Sequence, residues 1–300
     1  MNALKIVNKR LTAVIAVVTL GFVACDPEDK FLQEESAYVA EDVIADYVFE
    51  DVDDLSALAL LADDAPAGGR LETGPRHINV PDPRCGCSNV SVSITVNPGS
   101  TSEYPSGTIV IDFGEGCTDG NGNVRKGKLI ISFEGRRFQP GSTVVITFDG
   151  YSINDIAISG TRTLTNVSSS NEDVPAFQIE LENGRAAWPD GTVATREHCF
   201  VRTWQRAPVP ANDQLLVNQC SGSEVAASGT NRRGRSYAMK IVEQLVYKRG
   251  CPIAVSGIKE FTDLTTGKVI TVDYGDGSCD RIITITVNGQ SRSFEVQRRG

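Results

Sequence analysis

From Val90 onward the chain alternates apolar and polar residues in short runs that close on glycine or asparagine. Val90–Val96, Thr108–Phe113, Leu129–Phe133, Val144–Phe148, Tyr237–Tyr247, Val269–Tyr274 and Ile282–Val287 are rich in β-branched and aromatic side chains. A period of two marks strands with one face on a core and the other in water. Such strands at regular spacing predict a mostly β protein, an antiparallel sandwich or barrel-like body built from hairpins.

One region departs from this pattern. Beyond Ser36, Ala40, Ile44, Tyr47, Val48, Val52, Leu55, Leu58 and Ala62 recur every three to four residues. Glu41, Asp42, Asp46, Glu50, Asp53 and Asp54 fill the spaces. That is the period of one amphipathic helix preceding the body, ended by Pro66 and Gly68-Gly69. An apolar stripe needs a partner: the β body, or failing that another protein. The proline-rich stretch 66–84 reads as a linker.

The body contains an internal echo. Ile109-Val110-Ile111-Asp112-Phe113-Gly114-Glu115-Gly116-Cys117 matches Ile270-Thr271-Val272-Asp273-Tyr274-Gly275-Asp276-Gly277-Ser278-Cys279 with one inserted serine. Each copy follows a cysteine, a strand and a turn-rich loop, which predicts a duplicated hairpin module at 85–135 and 251–289. Facing residues of an antiparallel hairpin lie equally far from its turn. Cys251 and Cys279 are centred on the Leu264–Gly267 turn, Cys87 and Cys117 on the Pro98–Gly107 loop, and Cys199 and Cys220 on Pro208-Val209-Pro210. Three disulfides are therefore expected, with Cys85 left over, although Cys85 and Cys87 could exchange roles.

The amino terminus adds an address. Lys5, Lys9 and Arg10 precede an uncharged run from Leu11 to Ala24, which reads as a secretory signal over 1–24. The run falls short of the roughly 20 apolar residues of a membrane span. Phe22 does not suit an ordinary cleavage site, whereas Phe22-Val23-Ala24-Cys25 reads as a lipobox with Cys25 as the lipidated thiol. Residues 25–35 would then be an acidic tether, 36–84 helix and linker, and 85–300 the body. An envelope compartment permits the disulfides.

Charge sharpens the division. Residues 26–64 hold fourteen acids against Lys30 alone, whereas 65–300 are nearly balanced. A balanced body lacks the basic stripe that nucleic acid needs, and an acidic helix does not suit anionic lipid.

No catalytic constellation emerges from the residues. His198 could act with Cys220 or Asp213, but a strand histidine on a sheet is the simpler reading. Asp112, Glu115, Asp273 and Asp276 are candidate calcium ligands or a glycosidase pair, though aspartates in such turns commonly accept hydrogen bonds from their own backbone. Asp119–Asn123 mimics the start of an EF-hand loop, but Val124 and Ile130 occupy the places of the required Gly and Glu. It reads as a hairpin loop. Arg232-Arg233-Gly234-Arg235 could hold a phosphate or sulfated glycan, or form a solvated turn. Trp188 and Trp204 could stack on a sugar, although core packing is the stronger expectation. No cofactor motif is present.

The Asp-Phe/Tyr-Gly-Asp/Glu-Gly turns, Ile158-Ser159-Gly160-Thr161, Trp188-Pro189-Asp190-Gly191-Thr192 and Arg202-Thr203-Trp204 resemble uncharacterised lipoproteins of the Bacteroidota, over most of residues 36–300. The resemblance implies no activity and no functional residues. It implies that acids after the lipidated cysteine direct the chain to the outer membrane, on its periplasmic or surface face. The expected function is that of a non-catalytic envelope protein, held to the membrane through lipid on Cys25, with a binding or structural role toward a glycan or protein. The alternatives are an accessory subunit of a nutrient-uptake or assembly complex, docked through the helical arm, and a hydrolase with an unusual site.

Overall fold

A computed structural model describes residues 48–49, 51–60, 75–80, 82–120, 122–170, 174–209, 212–251 and 253–296. The signal segment, Cys25, the tether, helix positions 36–47 and linker residues 61–74 lie outside the described residues. The described helical residues, α1, lie within 48–60. Sixteen strands follow: β1 (Pro75–His77), β2 (Ser91–Val96), β3 (Ser106–Asp112), β4 (Cys117–Thr118), β5 (Val124–Glu134), β6 (Thr143–Ile153), β7 (Ile156–Asn166) and β8 (Ala176–Ala187). The second eight are β9 (Val193–Gln205), β10 (Gln214–Gln219), β11 (Ala227–Thr230), β12 (Ser236–Lys248), β13 (Ser256–Asp263), β14 (Val269–Asp276), β15 (Ile282–Val287) and β16 (Gln290–Glu295).

All belong to one antiparallel sheet that runs in chain order from β1 to β16. β4 pairs with β5 where β3 leaves off, so β3 and β4 share a lane. β10 and β11 likewise share the lane between β9 and β12. The mostly β, barrel-like expectation therefore holds, as a single meander. The stretch read as a linker contributes to it: β1 pairs with β2, and Pro83–Cys85 forms a 3-10 turn capped by Asp82.

Two glycines help to bend the sheet. Gly127 and Gly257 adopt positive φ at register shifts, where a Cβ would strike the carbonyls of Gly150 and Gln244. Bulges of this kind raise local twist and curl a sheet. The curled sheet covers two cores. The first gathers α1 (Val48, Phe49, Val52, Leu55, Ala59) with strand residues such as Ile94, Ile109, Leu129 and Ile146. The second is built from strand and loop residues of the later half, including Met239, Phe261, Ile270, Val272 and Ile285.

The two echoing segments share one burial phase. Ile109, Ile111 and Phe113 are buried, and so are their counterparts Ile270, Val272 and Tyr274. Disulfides join Cys87 to Cys117, Cys199 to Cys220 and Cys251 to Cys279, with Cα separations of 5.8, 5.5 and 5.5 Å. Among the described residues, Cys85 is the free thiol. Three cystines fit an oxidising compartment outside the cytoplasm. Among the described residues, no helix is long and apolar enough to cross a membrane.

Candidate functional site

The strongest concentration of buried charge lies where α1 meets the sheet. Two residues along a helix turn about 200° around its axis, so Asp51 and Asp53 point to opposite sides with Val52 between them. Both are buried, and Val52 and Leu55 are fully enclosed. The helix is thus gripped from two sides.

On one side, Asp51 accepts from Arg84 Nη1 at 2.9 Å and from Arg125 Nη2 and Nε at 2.9 and 3.1 Å. Arg125, on β5, also donates to Asp119 at 2.6 Å, and Arg84 chelates Asp82 through Nε and Nη2 at 2.9 Å each. On the other side, Asp53 takes Arg162 of β7 in a two-pronged pair at 2.5 and 2.7 Å, and Arg202 of β9 at 3.2 Å. These pairs balance, four guanidiniums against four carboxylates. Planar arginine forks on carboxylates are the geometry in which buried ion pairs are best satisfied.

The environment tunes these groups. Burial alone would lower the Arg125 guanidinium, but the hydrogen bond to Asp119 and the charge of Asp51 more than offset it. Burial pushes the Tyr151 hydroxyl upward, with the Asp51 charge adding to it, so the phenol stays neutral. The Arg84 side-chain hydrogen bond holds Asp82 below the usual carboxylate range.

His198 sits at the edge of this cluster. Its Nε2 faces Arg162 Nη1 at 2.8 Å, and its Nδ1 accepts from Arg196 Nε at 3.2 Å. Its ring stacks near Phe200 and meets Phe49 of α1 edge-on. Burial, and then the charges of Arg162, Arg196, Arg202 and Lys259, press its basicity well below the ordinary imidazole range. The other members of the suggested triads are engaged elsewhere. Cys220 is bonded to Cys199, while Asp213 accepts from Trp204 Nε1 and the Ala207 amide.

The duplicated acids occupy matching turns. Asp112 Oδ1 accepts the Gly114 amide at 2.8 Å, and Asp273 Oδ1 accepts that of Gly275 at 2.8 Å. Asp276 accepts the Ser278 amide, and Glu115 is exposed. Among the described residues, no group of three or more His, Cys, Asp or Glu side chains could hold a metal ion. Asp119 closes a hairpin tip on Asn123 while bound to Arg125. Neither tryptophan belongs to a core: Trp188 lies under Arg232, 4.2 Å away, and Trp204 is exposed. Arg232 also pairs with Asp190 at 2.6 Å, so part of the arginine turn clips onto the Trp188–Thr192 turn. Burial pushes the Cys85 thiol up to about 11, which makes it a poor nucleophile at neutral pH.

The clamp residues Asp51, Arg84, Arg125, Arg162 and Arg202 escaped sequence reasoning. A signal was available. Arg125 shares strand phase with buried Leu129 and Ile131, and Arg162 with buried Ile158. An arginine in the buried phase of a strand calls for a carboxylate, and the acidic helix is the obvious source. No family model, no curated protein and no solved structure matches this chain.

Proposed function

We propose that this chain is a lipid-anchored, non-catalytic module of the bacterial cell envelope, held in the outer membrane by acyl chains on Cys25, with a binding or structural role. The observation that carries this reading is the Phe22-Val23-Ala24-Cys25 lipobox ahead of a body with three disulfides. The state of His198 supports a non-catalytic role, since a neutral ring with both nitrogens on arginines is a weak general base. The apolar stripe of the described α1 residues, Val48, Val52, Leu55 and Ala59, is buried in the body, which supports this reading over a helical arm that docks on another protein.

Metabolic labelling with an alkyne fatty acid, followed by membrane fractionation, tests the anchor. The full-length chain should carry label and sediment with outer membranes, and Cys25→Ala should lose both properties. An unlabelled wild-type chain, or a Cys25→Ala chain that keeps its label, would overturn the reading.

A further inference from the structure

Alternate connections of an antiparallel meander lie at opposite ends of the strands, and here the two ends differ in what they show to solvent. One end carries β12–β13 and β14–β15, with exposed Arg249, Asp280, Arg281 and Ile282, and, over the earlier part of the sheet, the connections β2–β3, β5–β6, β7–β8 and β9–β10. Around these last four connections Tyr104, Phe138, Val167, Val174, Trp204 and Val209 are each 43–54% exposed. The turns at the opposite end display Glu115, Asn154, Asp155, Asp190 and Arg233, with Leu264 and Val269 the large apolar exceptions.

The apolar end is knitted together. Arg136 donates to the Ser102 carbonyl at 2.6 Å, Asn166 to the Arg137 carbonyl at 3.0 Å, and the Trp204 amide to Pro175 at 2.9 Å. Phe138 rests edge-on against Phe177. These contacts hold the apolar side chains on tied loops, which lowers the ordering cost of a contact there.

We propose that this rim is a contact surface for a phospholipid bilayer. The proposal rests on lipidation of Cys25. Tryptophan and tyrosine, with an apolar body and a polar handle, are the side chains that settle at membrane interfaces, and Trp204 keeps its indole N–H on Asp213 at 3.0 Å. The six side chains stand at four successive connections, an arrangement suited to a fluid surface that needs no matching shape. Described charges around these four connections balance, Glu103, Glu134 and Asp213 against Arg136, Arg137 and Arg206. Apolar insertion therefore drives the contact, and it needs no anionic lipid.

Chain length permits it. The 22 residues between Cys25 and Val48 reach at most about 80 Å when extended, and about 55 Å with 36–47 helical as the sequence predicts, whereas a 13-residue strand spans about 44 Å. A lipid on Cys25 can therefore share a bilayer with either end of the body, and the tether keeps that bilayer at high effective concentration.

The chain holds two tryptophans, one at each end of the sheet, and this allows a direct test. Lipidated full-length protein is placed in phosphatidylcholine vesicles with and without brominated acyl chains. Flotation reads the anchor, and quenching reads the rim. In Trp188→Phe, the remaining Trp204 should lose most of its emission on brominated vesicles. In Trp204→Phe, the remaining Trp188 should keep its emission. The pair Phe138→Asp and Val209→Asp, added to Trp188→Phe, should relieve the quenching while flotation is unchanged.

Protein that floats with Trp204 unquenched would overturn the rim contact and leave the anchor standing. Protein that fails to float would overturn the anchor, and the bilayer contact with it. Self-association that shields Trp204 without vesicles would assign the rim to a second copy instead.

Discussion

The two halves of the sheet contain hairpins of similar sequence and fill their cores by different means. In the first half, Ile109, Ile111 and Phe113 belong to a core shared with α1. In the second, Ile270, Val272 and Tyr274 belong to a core whose described members are all strand and loop residues. Each module is closed by its own cystine, Cys87–Cys117 or Cys251–Cys279. The difference lies in the charge that comes with the helix. α1 brings two buried carboxylates, and the surrounding elements answer with Arg84, Arg125, Arg162 and Arg202. The acidic α1 and the nearly neutral body are therefore complementary parts of one core, and the hairpin sequence shared by the two halves did not dictate how that core is completed.

The largest effect should come from removing a clamp arginine. Arg125→Met leaves Asp51 and Asp119 buried without that fork and should destabilise by about 3–5 kcal/mol in urea unfolding. Hydrogen exchange should rise in β2–β6 and leave β13–β15 protected. Uniform loss of protection across both halves would erase the distinction between them.

A cystine cut in the other half should act in the complementary place. Replacing Cys251 and Cys279 together by serine should cost about 2–4 kcal/mol. It should open β13–β15 to exchange while β2–β5 stay closed.

The smallest effect is a pH slope. The folded His198 ring resists protonation, while in the unfolded chain it takes up a proton below about pH 6.5. Its contribution therefore lowers stability as pH falls through that value, by up to about 1.4 kcal/mol per pH unit until the folded ring also titrates. His198→Gln should flatten the loss of stability between pH 7.5 and 5.5. An unchanged slope would mean that the ring is not held neutral by burial and the cations around it.

Much of this architecture was legible in the residues. The strands followed from period two, and the three cystines from hairpin symmetry, because both depend on local spacing. The turns at Asp112 and Asp273 followed from the same logic, with the side chain closing on its own backbone. The charge clamp was harder to see for a physical reason. An amphipathic reading assumes one apolar face and one wet face, so acids off the stripe are assigned to solvent. A helix enclosed by a curled sheet has no such wet face at Asp51 and Asp53. The pairing also spans 109 residues to Arg162 and 149 to Arg202, far beyond any local window. β1 was hidden similarly, because Pro75 suits an edge strand as well as a linker.

Asp53 and Arg162 act as a coupled pair that binds α1 into the first core. A double-mutant cycle with Asp53→Ala, Arg162→Ala and the double variant measures that coupling directly. The clamp predicts a coupling of at least about 1.5 kcal/mol, as found for close, desolvated charge pairs. Single effects that add to within about 0.5 kcal/mol would contradict it and leave α1 held by apolar packing alone.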